Sequence, residues 1–215
     1  MAEQDATTVR EARSIWTWLF NPFRYIAGGP ALSLGLAAIA AAGLVAYFGR
    51  ARFDGVLDFH TQGEPPFGLA VADGLINWIV MVVLLWAGGR LVSSTRFRAL
   101  DLLGTQALAR WPMAIAALAV LLPGYQRFSL ELMGHVADPE FLMEIVSVQA
   151  VLAIVVVLLM VIWMVALMYN GFAVSCNLSG GKALGIFVPA IIVGEVISNL
   201  LIYRLLPGFF ASAGA

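Results

Sequence analysis

Long apolar stretches separated by short breaks rich in charge, Gly and Pro run the length of this chain. The cleanest lies between Ile145 and Gly181, where no charged residue occurs, and it ends at Lys182, the only lysine. A hydrocarbon core of ~30 Å is crossed by about 20 apolar residues in a helix. Five stretches reach that length, at 25–49, 67–91, 100–122, 145–169 and 183–206. The third is the weakest, because Asp101 and Arg110 interrupt it and leave only Trp111 to Tyr125 free of charge. Ahead of the first, Trp16, Leu19, Phe20 and Phe23 recur at i, i+3, i+4 and i+7 before the helix-breaking Asn21-Pro22. That spacing predicts a short amphipathic helix lying in the headgroup region. The expectation is an all-α, polytopic membrane protein. Residues 1–24 form a tail with the interfacial helix, 25–206 form five transmembrane helices, and 207–215 form a short second tail.

Composition strengthens this picture. Hydrophobic residues make up 61% of the 215 and charged residues only 12%, where a soluble domain carries about 25% charged. A net charge of −1 gives no field for nucleic acid. Glu3, Asp5 and Glu11 spoil the basic region of a secretory signal, so the amino-terminal segment is expected to be retained. Cytoplasmic flanks keep an excess of Lys and Arg. With the amino terminus inside, Arg10, Arg13, Arg24, Arg90, Arg96, Arg98 and Lys182 face the cytoplasm, against Arg50, Arg52, Arg127 and Arg204 outside. The carboxyl terminus then lies outside. The single cysteine, Cys176, has no disulfide partner and reads as a small apolar filler at a helix end.

Ionisable groups inside spans cost roughly 2.5 to 3.5 kcal/mol each on insertion scales and so mark candidate sites. The candidate intramembrane polar network is Asp73, Asn77, Arg110, Glu195 and Asn199. At 1.5 Å per residue, Arg110 and Glu195 both fall near the midplane, which predicts a buried ion pair between them. Asp73, Glu144 and Arg204 fall near the outer interface, where Arg204 can snorkel or pair with either acid. Asn77 follows Asp73 by one turn, and Ser198, Asn199 and Tyr203 share a face with Glu195. Such faces either glue helices together or line a path for ions or protons, and both readings stand at this point. Pro189 and Gly194 make the fifth span the one expected to kink. Small residues from Gly35 to Gly43 allow close helix approach within the protomer, or self-association.

Signatures of chemistry are missing. His60 and His135 fall in outer loops near Asp54, Asp58 and Asp138, at spacings that match no zinc or calcium pattern. No GxSxG or HExxH occurs, and Asn177 to Lys182 (NLSGGK) lacks the glycine spacing of a phosphate loop. No catalytic residue, cofactor or metal is therefore expected.

Trp163, the run Met168 to Phe172 (MYNGF), the loop Leu178 to Leu184 (LSGGKAL) and the pre-span Asn21 to Arg24 (NPFR) together resemble the Yip-domain family, five-span membrane proteins with a bacterial branch. The resemblance covers about 21–206. It implies five spans with a cytosolic amino terminus and, for eukaryotic members, binding of small GTPases and a role in vesicle traffic. The long cytosolic region and DLYGP-like motif of those members are absent here, so a small GTPase is not an expected partner. A bacterial member would be an integral protein of the cytoplasmic membrane. The leading expectation is a non-enzymatic protein acting through membrane lipids, homo-oligomers or other membrane proteins. The alternative is a small transporter or channel using Glu195, Arg110 and Asp73.

Overall fold

The structure is a computed structural model that describes residues 15–61, 67–135 and 139–205. The expected tail 207–215, the tail cations Arg10 and Arg13, the loop acids Glu64 and Asp138, and the His135 side chain lie outside that description.

The chain is an all-α polytopic membrane protein. Four helices are long and apolar enough to cross a membrane: α2 (Gly28–Phe48), α3 (Phe67–Val92), α8 (Val148–Ser175) and α9 (Gly180–Leu200), with α1 (Ile15–Phe20) before them. The third expected span is built from pieces, and the crossings number five only where this bent pair is counted as one. Helices α4 (Ala99–Leu108) and α5 (Pro112–Ala119) run on together, and then turn by 86° into α6 (Pro123–His135), which leads to α7 (Pro139–Ile145). The break between α4 and α5 has a local cause. Pro112 has no N–H and its ring crowds the carbonyl one turn back, and the chain tightens to i→i−3 bonds from Arg110 N to Ala107 O (3.2 Å) and Trp111 N to Leu108 O (3.1 Å). Arg110 therefore stands at the joint. The expected kink at Pro189 is not a break, since α9 continues through it, and the irregular turn comes later, as a π-helical stretch at Leu201–Leu205.

Small residues of α2 fit against neighbours of the same protomer. A Cβ on Gly35 would strike the backbone of Ala107 and Leu108 in α4, and one on Gly43 would lie 2.8 Å from Ala70 O in α3. Trp78 Nε1 donates to Leu103 O at 3.1 Å, tying α3 to α4. Cys176 is buried at the end of α8, as a filler should be.

The aromatic amino-terminal segment is tied to the bundle. Trp163 Nε1 of α8 donates to Leu19 O (2.9 Å) and Asn170 Nδ2 to Phe20 O (2.8 Å), so the free carbonyls at the end of α1 are held by the bundle. Of the predicted apolar face, Phe23 is buried while Trp16 and Phe20 stay exposed. Trp111, beside the α4–α5 joint, meets Trp163 edge-on at 4.7 Å.

Between α2 and α3 the chain folds back into the bundle. Ala51–Arg52 (β1) pairs antiparallel with His60–Thr61 (β2), Arg52 opposite His60. Every residue from Ala51 to Val56 is buried. This hairpin is what the polar side chains of the spans gather round.

Candidate functional site

Backbone groups in a buried loop need partners that helices supply to themselves. For the 51–61 hairpin those partners come from α3 and α9. Asn77 Nδ2 donates to Phe53 O at 2.6 Å and to Gly55 O at 2.7 Å. Leu57 N donates to Glu195 Oε2 at 2.8 Å. Gly55 is the point of closest approach, because a Cβ there would run into Glu195 Oε1 and lie 2.8 Å from Asp58 Cβ. No other residue type fits that contact without moving the hairpin or Glu195.

Charge is organised around the same loop. Arg52 Nε and Nη2 grip Asp73 Oδ2 and Oδ1 at 2.8 and 3.0 Å, with both side chains buried. Burial works against the Arg52 charge, but the hydrogen bond and charge of Asp73 outweigh it and leave the guanidinium pKa raised. Asp54, also fully buried, accepts from His60 Nδ1 at 2.8 Å and from the Tyr203 hydroxyl. The Asp54 hydrogen bond raises the His60 pKa against a smaller opposing effect of burial. Asn199 Nδ2 donates to Glu195 Oε1 at 2.8 Å and reaches Asp58 Oδ2 at 3.5 Å.

Two sequence expectations are corrected here. Arg110 and Glu195 form no ion pair, because the Glu195 oxygens are engaged by Leu57 N and Asn199 Nδ2. Asp73 pairs with Arg52 and not with Arg204, because the hairpin carries Arg52 back among the helices. Of the five candidates, Asp73, Asn77, Glu195 and Asn199 converge on the hairpin. Arg110 does not join them. Its Nε and Nη2 are buried without a hydrogen-bond partner, and it lines a small cavity with Asp58, Phe53, Gly55, Gly74 and Met164.

Tyr203, expected on the face of Glu195, donates to Asp54, and the site residues that span-by-span counting missed are Arg52, Asp54 and Asp58. Their signal is the loop sequence itself, where Arg52-Phe53-Asp54 and Asp58-Phe59-His60 alternate polar and apolar positions on either side of Gly55-Val56-Leu57. Among the described residues no group of three or more His, Cys, Asp or Glu is placed to hold a metal. Comparison with family models, curated proteins and solved structures returns no match.

Proposed function

We propose that this chain is a non-enzymatic integral membrane protein that organises membrane or membrane partners, in the manner its resemblance to the Yip-domain family implies. The observation that carries this reading is the direction of the buried hydrogen bonds. Asp73, Asn77, Glu195 and Asn199 are engaged in holding one hairpin in place, which is the behaviour of a structural network. Wide apolar faces remain for lipid or other helices, among them Val148, Val151, Leu152, Val155, Leu158 and Leu159 along α8. The proposed setting is a bacterial cytoplasmic membrane with the amino terminus inside. Exposed Arg24, Arg90, Arg96, Arg98 and Lys182 support that orientation, and the hairpin then faces outward. Reconstituted protein should be silent to proton and alkali-cation gradients while crosslinking to itself or to membrane partners in cells. Flux that depends on Glu195 would overturn the reading.

A transport role is the second reading, favoured by one observation: Arg110 stands unpaired at a broken helix beside a cavity. Broken helices at membrane depth are a common transporter device. Gradient-driven uptake into vesicles, lost in a folded Arg110→Gln protein, is its expected result.

A further inference from the structure

Along α3, Leu75, Ile79, Val83, Trp86 and Arg90 fall at i, i+4, i+8, i+11 and i+15, and so share one face of the helix. The four apolar members are 37% to 56% exposed, and Arg90 is exposed at the end of the row. From Ile79 to Arg90 is eleven residues, a rise of about 16 Å, close to half of a ~30 Å hydrocarbon core. The face runs the depth of one leaflet and ends in a cation.

That cation is held in place and still unpaired. Arg90 Cζ lies over the Trp86 ring at 5.8 Å and over the Phe97 ring at 5.9 Å. Phe97 comes close to α3 at Gly89, where a Cβ would stand 3.1 Å from its Cζ. Ser93 Oγ donates to Cys176 O at 2.7 Å, which fixes the start of the α3–α4 turn against the end of α8. Among the described residues, neither the Arg90 guanidinium nor the Trp86 indole N–H has a hydrogen bond or ion pair. An exposed guanidinium fixed by aromatic rings keeps its N–H donors for an acceptor outside the chain.

The surroundings select that acceptor. Arg96 and Arg98 follow in the same turn, both exposed, and neither 93–98 nor the adjoining turn 176–182 contains an acid. Such a cluster of cations at the end of a crossing draws negative headgroups. The apolar row leading away from Arg90 into the membrane then favours an anion that carries a chain over a free one.

We propose that this face of α3 binds one anionic phospholipid, with its phosphate on Arg90, its ester region beside the Trp86 indole N–H, and an acyl chain along Val83, Ile79 and Leu75. The site rests on the membrane-protein part of the reading above and on neither its scaffold nor its transport form.

The test uses the full chain in detergent, titrated with dioleoyl-phosphatidylglycerol, dioleoyl-phosphatidylcholine or glycerol 1-phosphate. Bound lipid is counted by native mass spectrometry, and stability is read as the unfolding temperature. Phosphatidylglycerol should bind saturably, more tightly than phosphatidylcholine, and raise the unfolding temperature; glycerol phosphate, lacking chains, should do neither at the same concentration. Arg90→Gln should weaken phosphatidylglycerol binding about fivefold, the worth of one cation beside an anionic headgroup. Arg24→Gln, which removes an exposed cation between α1 and α2, should change it by less than about twofold, since salt screens distant charges. Both side chains are exposed, and unfolding without added lipid verifies that both variants fold. The proposal is overturned if the two lipids bind alike, if glycerol phosphate binds as tightly as the lipid, if Arg90→Gln keeps full affinity, or if Arg24→Gln costs as much as Arg90→Gln. A dimer that covers this face and takes up no phosphatidylglycerol would overturn it in favour of a second copy. Glu195-dependent flux would sink the scaffold reading and leave these outcomes untouched.

Discussion

Arg52 and Asp73, twenty-one residues apart, are joined by two parallel hydrogen bonds of 2.8 and 3.0 Å that pin the hairpin to α3. Removing either partner leaves the other charge buried alone, at a cost of about 3 to 5 kcal/mol. Asp73→Asn and Arg52→Gln should each lower the unfolding temperature in detergent sharply, and Arg52→Leu with Asp73→Leu should recover much of the loss. The corresponding cycle with Arg110 and Glu195 should show markedly weaker coupling, because those two groups do not touch. Coupling as strong as that of the first pair would show that the two groups meet directly.

Asn77→Leu removes both donors to Phe53 O and Gly55 O. Each buried carbonyl left unsatisfied costs about 1 to 3 kcal/mol. The loss should appear first as local opening, read as faster amide exchange across 53–57 with exchange in α8 unchanged. Uniform acceleration throughout the protein would show instead that the hairpin and bundle open together.

His60 gains a hydrogen bond from its position beside Asp54, which raises its pKa in the folded state. A group whose folded pKa is raised contributes stability that is full below its unfolded pKa, about 6.5. That contribution fades as pH climbs through the folded value. Wild-type protein should therefore gain stability on acidification from about pH 8 to 6 relative to His60→Gln. Parallel stability–pH curves for the two proteins would remove His60 as the cause.

Glycine substitutions should split by environment. Gly35→Ala forces a methyl group onto the backbone of α4 and should cost about 1 to 3 kcal/mol through overpacking. Gly185→Ala in α9 meets nothing within 4 Å, and should be neutral or stabilising by about 0.5 to 1 kcal/mol, because alanine loses less freedom in a helix. Thermal unfolding of both in the same detergent checks the contrast. Equal losses would argue against close α2–α4 packing.

Span character was legible because it depends only on local composition. Without water in the bilayer, an apolar stretch of sufficient length must satisfy its own backbone as a helix, whatever its neighbours are. The same logic flagged Asp73, Asn77, Arg110, Glu195 and Asn199, since a polar group in such a stretch needs a partner. It could not say which partner. Depth counting placed Arg110 beside Glu195 by assuming that loops stay outside, and a hairpin that folds back among the helices breaks that assumption. Arg52, Asp54 and Asp58 looked like ordinary loop charges until the fold buried the first two and set the third against the cavity.

The sequence by itself therefore determined the class of the protein, its membrane-crossing stretches and the residues that must be satisfied within them, because hydrophobic partition and helix length are local properties. Only the tertiary structure decided who satisfies whom. Pairings across 21 residues for Arg52 and Asp73, or 138 for Leu57 and Glu195, depend on how helices and hairpin pack, and no periodicity along the chain encodes that directly. The same packing left the Nε and Nη2 atoms of Arg110 buried without a hydrogen-bond partner among the described residues.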